Sequence, residues 1–359
     1  MTARPTHGGN LAWAAEQAGV APAAILDFSA SINPLGPPAS AIASLQAHLS
    51  QIQAYPDPDY RALRRAIAQH HDLDPDWILP GNGAAELLTW AARDLAATCA
   101  ETRWLVPGFA DYARALTTFG AAQRGYALAL PAADLPDFTQ GPLPPRRCGL
   151  LLNNPHNPTG KLWSRQHLEP LLAAFALVVV DEAFMDFLPP QAQESLVGLV
   201  GQHPNLVILR SLTKFYSLPG LRLGYAIAHP EGLQRWQRWR DPWPVNSLAV
   251  AAGLAVLTDR DFQERTWRWL PPARSELYAG LAALPGLQPL RGAANFLLVA
   301  TTGSSRDLQA ALLQQHQILI RDCGSFPELG DRYFRVAVRT SADNQRLLAA
   351  LAWGAKDPT

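Results

Sequence analysis

Short apolar runs alternate with helical stretches between about residues 60 and 230. The runs that predict strands are Trp104–Val106, Gly149–Leu152, Leu177–Val180, Val207–Leu209 and Tyr225–Ala228. Helices are predicted over Arg61–His71 and Ala84–Thr98. Continuous apolar strands separated by helices indicate a mostly parallel sheet that is covered on both faces. Ligands of such a sheet bind beyond the carboxyl ends of its strands, so functional residues are expected there.

The pattern changes after about residue 245, where long helical stretches lead into a second group of strands. These strands are predicted at Phe296–Val299, Ile318–Ile320 and Tyr333–Val338, with a helix over residues 342–353 after them. We therefore expect an α/β protein with a large domain over residues 41–245 and a smaller α+β domain over residues 246–359. Residues 1–40 are expected to form an N-terminal segment that packs on the smaller domain.

Composition narrows the class of protein. The chain has 359 residues, 48% of them hydrophobic, and a formal net charge of +0, so no basic surface favours a nucleic acid partner. The first residues lack the apolar core of a signal peptide, and the apolar run 171–180 is too short to cross a bilayer. Three cysteines without a C-x-x-C pair fit a reducing compartment. We expect a cytoplasmic enzyme without a membrane partner.

Lysine is scarce in this chain and is therefore informative. Of the 30 basic side chains, only Lys161, Lys214 and Lys356 are lysines. Lys356 is expected in a frayed tail and Lys161 in a solvated loop, whereas Lys214 follows the apolar strand at Val207–Leu209. A lysine can lose its proton and condense with a carbonyl group, which an arginine cannot do. Lys214 is therefore the candidate nucleophilic amine.

Two turns contain residues that suit a cofactor. Gly83, Ala84 and Ala85 open the second predicted helix, and the free N–H groups and dipole of a helix start favour a phosphate. Glycine before a helix is more often only a turn. Asn157 lies in the rigid turn Asn154–Gly160, where its amide can hold a phenolic oxygen, although a plain turn explains this motif equally well.

Three further residues lie at or near strand ends. Asp181 ends a strand that is expected to be buried on both faces, so its charge needs a partner there. A cationic ring nitrogen would be such a partner, and an ion pair with an arginine is the alternative. Arg222, eight positions after Lys214, can return to the same site and grip a phosphate with its planar guanidinium group. The Ser211 hydroxyl can add a hydrogen bond.

Together these residues describe a site for pyridoxal 5'-phosphate. Lys214 would form the Schiff base, Asp181 would pair with the pyridine nitrogen, and Asn157 would contact the ring oxygen. Phe109 is placed to stack on the ring. The residues expected around the cofactor phosphate are Gly83, Ala84, Ala85, Ser211 and Arg222, and Thr213 is also expected to bind the cofactor.

With these motifs the chain resembles the fold type I pyridoxal-phosphate enzymes, and within them the histidinol-phosphate aminotransferase group. The resemblance covers nearly the whole chain and implies the aminotransferase-like fold of these enzymes. Its sharper markers are the segments His7–Asn10, Asp27–Gly36, Tyr55–Asp57, Arg210–Tyr216 and Tyr333–Arg339. The His-Gly-Gly start is similar to the branch of the group that decarboxylates threonine phosphate in cobalamin biosynthesis.

The resemblance also implies an assembly and a substrate site. In a homodimer with shared active sites, Tyr55 would reach the cofactor phosphate bound by the other subunit. A phosphorylated amino acid would be bound by His7, Gly8, Ser31, Asn157, Arg321 and Arg335. Two arginines suit a substrate with a carboxylate and a phosphate, and which arginine takes which group is left open.

Three features depart from the pattern of these relatives. Ser31 stands in place of an asparagine, which would shorten one substrate contact or leave it to a water molecule. Ala84 and Ala85 replace residues with polar side chains, so the phosphate would depend there on backbone donors. Phe184 replaces a tyrosine of the aminotransferases, which weakens the expectation of transamination.

The resemblance therefore implies decarboxylation of O-phospho-L-threonine to (R)-1-aminopropan-2-yl phosphate. A histidinol-phosphate-type aminotransferase is the alternative of the same fold, and it breaks a different bond at the α-carbon. The alternative of another class is a non-catalytic regulatory protein that binds pyridoxal phosphate. The complete set of Lys, Asp, Asn and Arg argues against a site without catalysis.

The histidines outside these motifs are expected to be structural. His70 and His71 lie at a predicted helix end and are expected to be solvated. His156 lies in a turn without a nearby cysteine or glutamate, so we expect no metal site.

Overall fold

The computed structural model describes residues 4–354, and its largest element is a seven-stranded sheet. Lys356 lies outside the described residues. The α-helices in this range are α1 (Leu11–Ala18), α2 (Ala39–His48), α3 (Arg61–His71), α4 (Ala84–Thr98), α5 (Ala110–Thr118), α6 (Arg165–Ala174), α7 (Leu212–Phe215), α8 (Pro230–Gln237), α9 (Ser247–Leu257), α10 (Arg260–Ala282), α11 (Ser305–His316) and α12 (Ser341–Gly354). The strands are β1 (Leu26–Asp27), β2 (Ile78–Asn82), β3 (Glu101–Val106), β4 (Gln123–Ala127), β5 (Cys148–Asn153), β6 (Leu177–Asp181), β7 (Leu206–Ser211), β8 (Leu223–Ala228), β9 (Leu287–Pro289), β10 (Phe296–Thr301), β11 (Ile318–Leu319), β12 (Arg321–Asp322) and β13 (Tyr333–Ala337).

The large sheet has the strand order β2–β8–β7–β6–β5–β3–β4. Neighbouring strands are parallel except at β8, which runs antiparallel to both β2 and β7. The expectation of a mostly parallel sheet is therefore confirmed. Asn153 pairs with Asp181, and Asp181 pairs with Leu209 on the next strand. The strands β5, β6 and β7 thus end at one edge, where the residues that follow them meet.

Alternate residues of the central strands pack into two different cores, one on each face of the sheet. Val178 and Val180 of β6 belong to one core, and Val179 belongs to the other. Each of the three is at most 1% exposed. Full burial of such a side chain stabilises a fold by about 1.5–3 kcal/mol. Because both faces are buried, the strand is apolar at consecutive positions rather than at alternate ones.

The last third of the chain forms an antiparallel sheet with the order β12–β13–β10–β9. Separately, β1 pairs in parallel with β11, which joins Leu26 to Ile318. The strand predicted at Ile318–Ile320 is present as β11, which ends at Leu319, and the next strand, β12, belongs to a different sheet. As a result, Arg321 of β12 lies directly opposite Arg335 of β13.

Helix α9 packs on elements from the first half of the chain. It contacts α2 and α3, and its Gly253 approaches Leu223 so closely that an added Cβ would lie 2.6 Å from that side chain. The chain after residue 246 therefore meets the large sheet before it forms the smaller one. The domain boundaries at residues 40 and 245 stay a prediction.

Arg210 is a buried charge with two carboxylate partners. Its side chain is 1% exposed and lies 2.9 Å from Glu182 and 2.5 Å from Asp186. Replacing Arg210 with methionine would leave Glu182 uncompensated, and we expect the free energy of unfolding to fall by about 3–5 kcal/mol. Urea unfolding followed by circular dichroism measures this loss. Arg61→Met, which breaks the exposed pair with Asp59, is the control, and an equal loss in both variants would contradict the account.

Candidate active site

A cavity of about 500 Å³ opens at the edge of the large sheet, next to the residues that follow β5, β6 and β7. Ten of the residues predicted to bind cofactor or substrate line it: His7, Gly8, Ser31, Phe109, Asn157, Thr213, Lys214, Arg222, Arg321 and Arg335. The N-terminal segment, the large sheet and the smaller sheet therefore contribute to the same site. The individual roles of these residues stay predictions.

Lys214 lies on the one-turn helix α7, directly after β7. Its Nζ lies 3.4 Å from the Ser211 hydroxyl and 5.2 Å from the centre of the Phe184 ring. Burial lowers the pKa of Lys214, opposed by the negative charge of Asp181 and assisted by the positive charge of Arg222. A lowered pKa increases the fraction of neutral amine, which is the form that attacks a carbonyl group.

Asp181 ends β6, and its two carboxylate oxygens have different partners. Oδ1 accepts a hydrogen bond from the Ala183 backbone N–H at 3.0 Å, and Oδ2 accepts one from the Tyr112 hydroxyl at 2.8 Å. Burial raises the pKa of Asp181, while the positive charge of Lys214 and the hydrogen bond from Tyr112 lower it. The alternative of an ion pair with an arginine does not occur at Asp181 among the described residues.

Gly83 and Arg222 come together at the start of α4. The φ angle of Gly83 is +78°, and an added Cβ would lie 2.5 Å from Arg222 Nη2, so only glycine fits here. No side chain caps the helix at Gly83, and its first turn begins with Ala84 and Ala85. The N–H groups of this turn are therefore free to bind an anion beside the Arg222 guanidinium.

Two hydroxyl side chains precede Lys214 in the chain, those of Ser211 and Thr213. The Oγ of Ser211 is 2.7 Å from the Oγ1 of Thr213, and Thr213 lines the cavity. Together with Gly83 and Arg222, these groups fit the phosphate of pyridoxal phosphate. Lys214 fits its aldehyde, since the amine has no partner closer than 3.4 Å among the described residues.

Asn157 follows β5 and contacts Arg335 rather than a neighbour in its own turn. Its Oδ1 accepts a hydrogen bond from Arg335 Nη1, which leaves the amide NH₂ group as the donor for a ligand. The Arg335 guanidinium also lies 4.7 Å from the centre of the Phe296 ring. Burial lowers the pKa of Arg335 to about 10, with a further contribution from Arg321. Arg335 thus stays charged at neutral pH.

The N-terminal segment closes one side of the cavity. Arg321 donates to the Thr6 carbonyl and to the Ser325 hydroxyl, and the His7 ring packs 5.6 Å from the Phe109 ring. Burial, together with the positive charge of Arg321, lowers the pKa of His7, which favours the neutral form of its ring. At Gly8 an added Cβ would lie 2.2 Å from the Ser29 carbonyl, and the segment passes too close for any side chain there.

Ser31 lines the cavity, whereas Tyr55 does not. The Ser31 hydroxyl lines it, is buried, and has no hydrogen-bond partner within residues 4–354, as expected for a group that binds a ligand. Tyr55 lies elsewhere on the surface, is 78% exposed and stacks on Trp243 at 4.5 Å. Within one subunit Tyr55 does not line this cavity, and its role in a dimer stays a prediction.

Sequence reasoning missed two residues that support the site. Tyr112 binds Asp181, and its only local signal is that it follows Phe109 by three residues at the start of α5. Ser29 accepts a hydrogen bond from the Gly9 backbone N–H at 2.8 Å and donates one to Asp27 at 2.6 Å. It therefore holds the N-terminal segment in place.

The chain belongs to the aminotransferase class I and II family, whose sequence profile matches residues 23–351. It is 42% identical to the threonine-phosphate decarboxylase of Salmonella typhimurium, over 96% of this chain and 95% of that protein. It is 36% identical to the histidinol-phosphate aminotransferase of Symbiobacterium thermophilum, over 89% of this chain and 87% of that protein.

A solved structure is similar as well. The L-threonine-O-3-phosphate decarboxylase of Porphyromonas gingivalis superposes with a TM-score of 0.83 and 25% identity, over 93% of this chain and all of that one. These findings confirm the expected aminotransferase-like fold and the resemblance to this group. Enzymes of this family depend on pyridoxal phosphate, and the cofactor expectation is confirmed as well.

Borohydride reduction tests the assignment of Lys214. Reduction of the protein with its cofactor should attach the cofactor to the peptide that contains Lys214, and mass spectrometry of the digest locates it. The Lys214→Ala variant should lose this labelled peptide completely. Lys161→Ala is the control and should keep it, because Lys161 instead lies near Asp134 at 3.7 Å. Label on Lys161 would overturn the assignment.

Proposed function

We propose that this protein decarboxylates O-phospho-L-threonine to (R)-1-aminopropan-2-yl phosphate, as a pyridoxal-phosphate enzyme of cobalamin biosynthesis. The observation that carries this proposal is the pair Arg321 and Arg335. The two residues lie opposite each other across β12 and β13, and both line the cavity. Like charges directly opposite in a sheet destabilise it. Such a pair therefore favours a ligand that has two anionic groups.

The two guanidinium groups point to different partners. Arg321 contacts Ser325 at 2.5 Å and the N-terminal segment, whereas Arg335 contacts Asn157 and the Phe296 ring. Phosphothreonine carries a carboxylate and a phosphate on a short chain. Two neighbouring guanidinium groups with different contacts suit such a substrate.

Bound pyridoxal phosphate supplies an electron sink for the bond that breaks at the α-carbon of an amino acid. The chain's own residues select that bond by orienting the substrate. Two arginines that hold carboxylate and phosphate apart would align the bond to the carboxylate for cleavage. Positioning of this kind contributes on the order of 7 kcal/mol or more in the best intramolecular cases. Lys214 would then return a proton to the α-carbon.

Transamination is the second candidate, and the similarity to a histidinol-phosphate aminotransferase favours it. Two observations favour decarboxylation instead. The identity to a threonine-phosphate decarboxylase is higher and extends over more of the chain. In addition, the Phe184 ring faces Lys214, so this position offers no hydroxyl to the cofactor.

The assembly we infer is a homodimer with shared active sites. Five large hydrophobic side chains are at least 41% exposed among the described residues: Ile42, Leu49, Ile52, Tyr55 and Trp243. Tyr55 and Trp243 stack on each other and form an exposed aromatic patch, which favours a protein interface at Tyr55.

No helix within residues 4–354 is long and apolar enough to cross a membrane. We infer a cytoplasmic location, which suits the three free cysteines.

Product analysis distinguishes the two candidate reactions. With phosphothreonine the protein should release one carbon dioxide for each aminopropanol phosphate formed, without an added keto acid. The Lys214→Ala variant, loaded with cofactor, is the control and should release none. Turnover that requires 2-oxoglutarate, and forms glutamate without carbon dioxide, would contradict the proposal and favour the aminotransferase.

Complementation between variants tests the shared site. A Tyr55→Phe subunit and a Lys214→Ala subunit should together form heterodimers in which one site contains both native residues. Cofactor affinity in that site should exceed the affinity measured for Tyr55→Phe alone, because the phosphate regains the Tyr55 hydroxyl. Titration of cofactor fluorescence measures it. If heterodimers form and the affinity stays that of Tyr55→Phe, the sites are not shared.

A further inference from the structure

We propose that Tyr112 is a positioning residue that acts through Asp181, orienting its carboxylate toward the cofactor and stabilising its negative charge. The proposal rests on the role of Asp181 given above. Tyr112 is the third residue of α5, and its side chain is 2% exposed. Its hydroxyl donates a hydrogen bond of 2.8 Å to Asp181 Oδ2. Since Oδ1 is held by the Ala183 backbone, both carboxylate oxygens are fixed from different sides.

Aromatic packing fixes the tyrosine itself. The Tyr112 ring meets the Phe109 ring edge-on, with centres 5.5 Å apart and an angle of 87°. It meets the Trp104 ring in the same way, at 6.5 Å and 89°. Phe109 lines the cavity, so the start of α5 supplies both the ring predicted to stack on the cofactor and the hydroxyl that binds the Asp181 carboxylate. A displacement of Tyr112 would therefore disturb two cofactor contacts.

The hydroxyl is suited to this role because it keeps its proton. Burial and the charge of Asp181 raise the pKa of Tyr112 well above its usual value of 10.0. The groups that act on Asp181 are Lys214 from α7, Tyr112 from α5 and the Ala183 backbone. A neutral Lys214 amine no longer stabilises the Asp181 carboxylate by its charge, whereas the Tyr112 hydroxyl still donates its hydrogen bond. Tyr112 thus continues to stabilise the negative charge of Asp181 when Lys214 is neutral.

The test compares Tyr112→Phe with Tyr225→Phe. Tyr225 is also buried, but its hydroxyl lies 2.8 Å from His71 Nε2 rather than from a carboxylate. Infrared difference spectra of the apo-protein against the Asp181→Asn apo-protein give the pH at which Asp181 protonates. Cofactor titration of each variant gives the dissociation constant.

Tyr112→Phe should raise the protonation pH of Asp181 by about one unit, since hydrogen bonds to charged groups are strong and a unit corresponds to a tenfold change. It should also weaken cofactor binding by about tenfold, whereas Tyr225→Phe should change neither value. Unchanged values in Tyr112→Phe, or equal changes in both variants, would overturn the proposal.

A second variant covers the case in which Tyr112→Phe does not fold. Incorporation of 3-fluorotyrosine at position 112 keeps the ring and makes the hydroxyl a stronger donor, so the protonation pH of Asp181 should fall. A rise or no change would overturn the proposal. The apo-protein titration does not involve the cofactor. If Asp181→Asn binds the cofactor as tightly as the native protein, the role of Asp181 fails, and this outcome is separate from the effect of Tyr112 on its titration.

Discussion

Asp181 and Lys214 bring opposite charges to the ends of two neighbouring strands, and the rest of the site depends on this arrangement. β6 ends at Asp181, and β7 leads through Ser211 into the helix that carries Lys214. Burial raises the pKa of Asp181 and lowers the pKa of Lys214, and each charge opposes the effect of burial on the other. A cofactor with a cationic ring nitrogen and an aldehyde group would use both residues.

A second charge pair holds the same strand ends together. Glu182 follows Asp181, Arg210 precedes Ser211, and the two side chains lie 2.9 Å apart with almost no exposure. Removing one partner of such a pair destabilises the fold by more than the intact pair stabilises it, because a lone charge remains in the core. The pair therefore fixes the spacing of the strands that carry Asp181 and Lys214. The positions of Asp181 and Lys214 therefore depend on the buried pair of Glu182 and Arg210, which does not line the cavity.

Parts of this arrangement can be predicted from the sequence because their signals are local. The apolar runs of β5–β8 reflect burial on both faces and therefore predict these strands. β2 and β4 have no such run, because β2 contains Pro80 and Gly81 and alternate residues of β4 are exposed. Tyr112 could not be predicted, since its partner Asp181 lies 69 residues later in the chain. The expectation that His71 is solvated is wrong, because its ring binds the hydroxyl of a tyrosine on β8. Contacts between distant segments leave no local pattern.

Thermal unfolding with and without cofactor tests the central claim most directly. A ligand that binds only the folded protein stabilises it by about 2.7 kcal/mol at 100 times its dissociation constant. Pyridoxal phosphate should therefore raise the unfolding temperature of the native protein clearly. In Asp181→Asn, which has the same shape without the charge, the same cofactor concentration should raise it much less. An equal rise in both proteins would contradict the claim that the charge of Asp181 binds the cofactor.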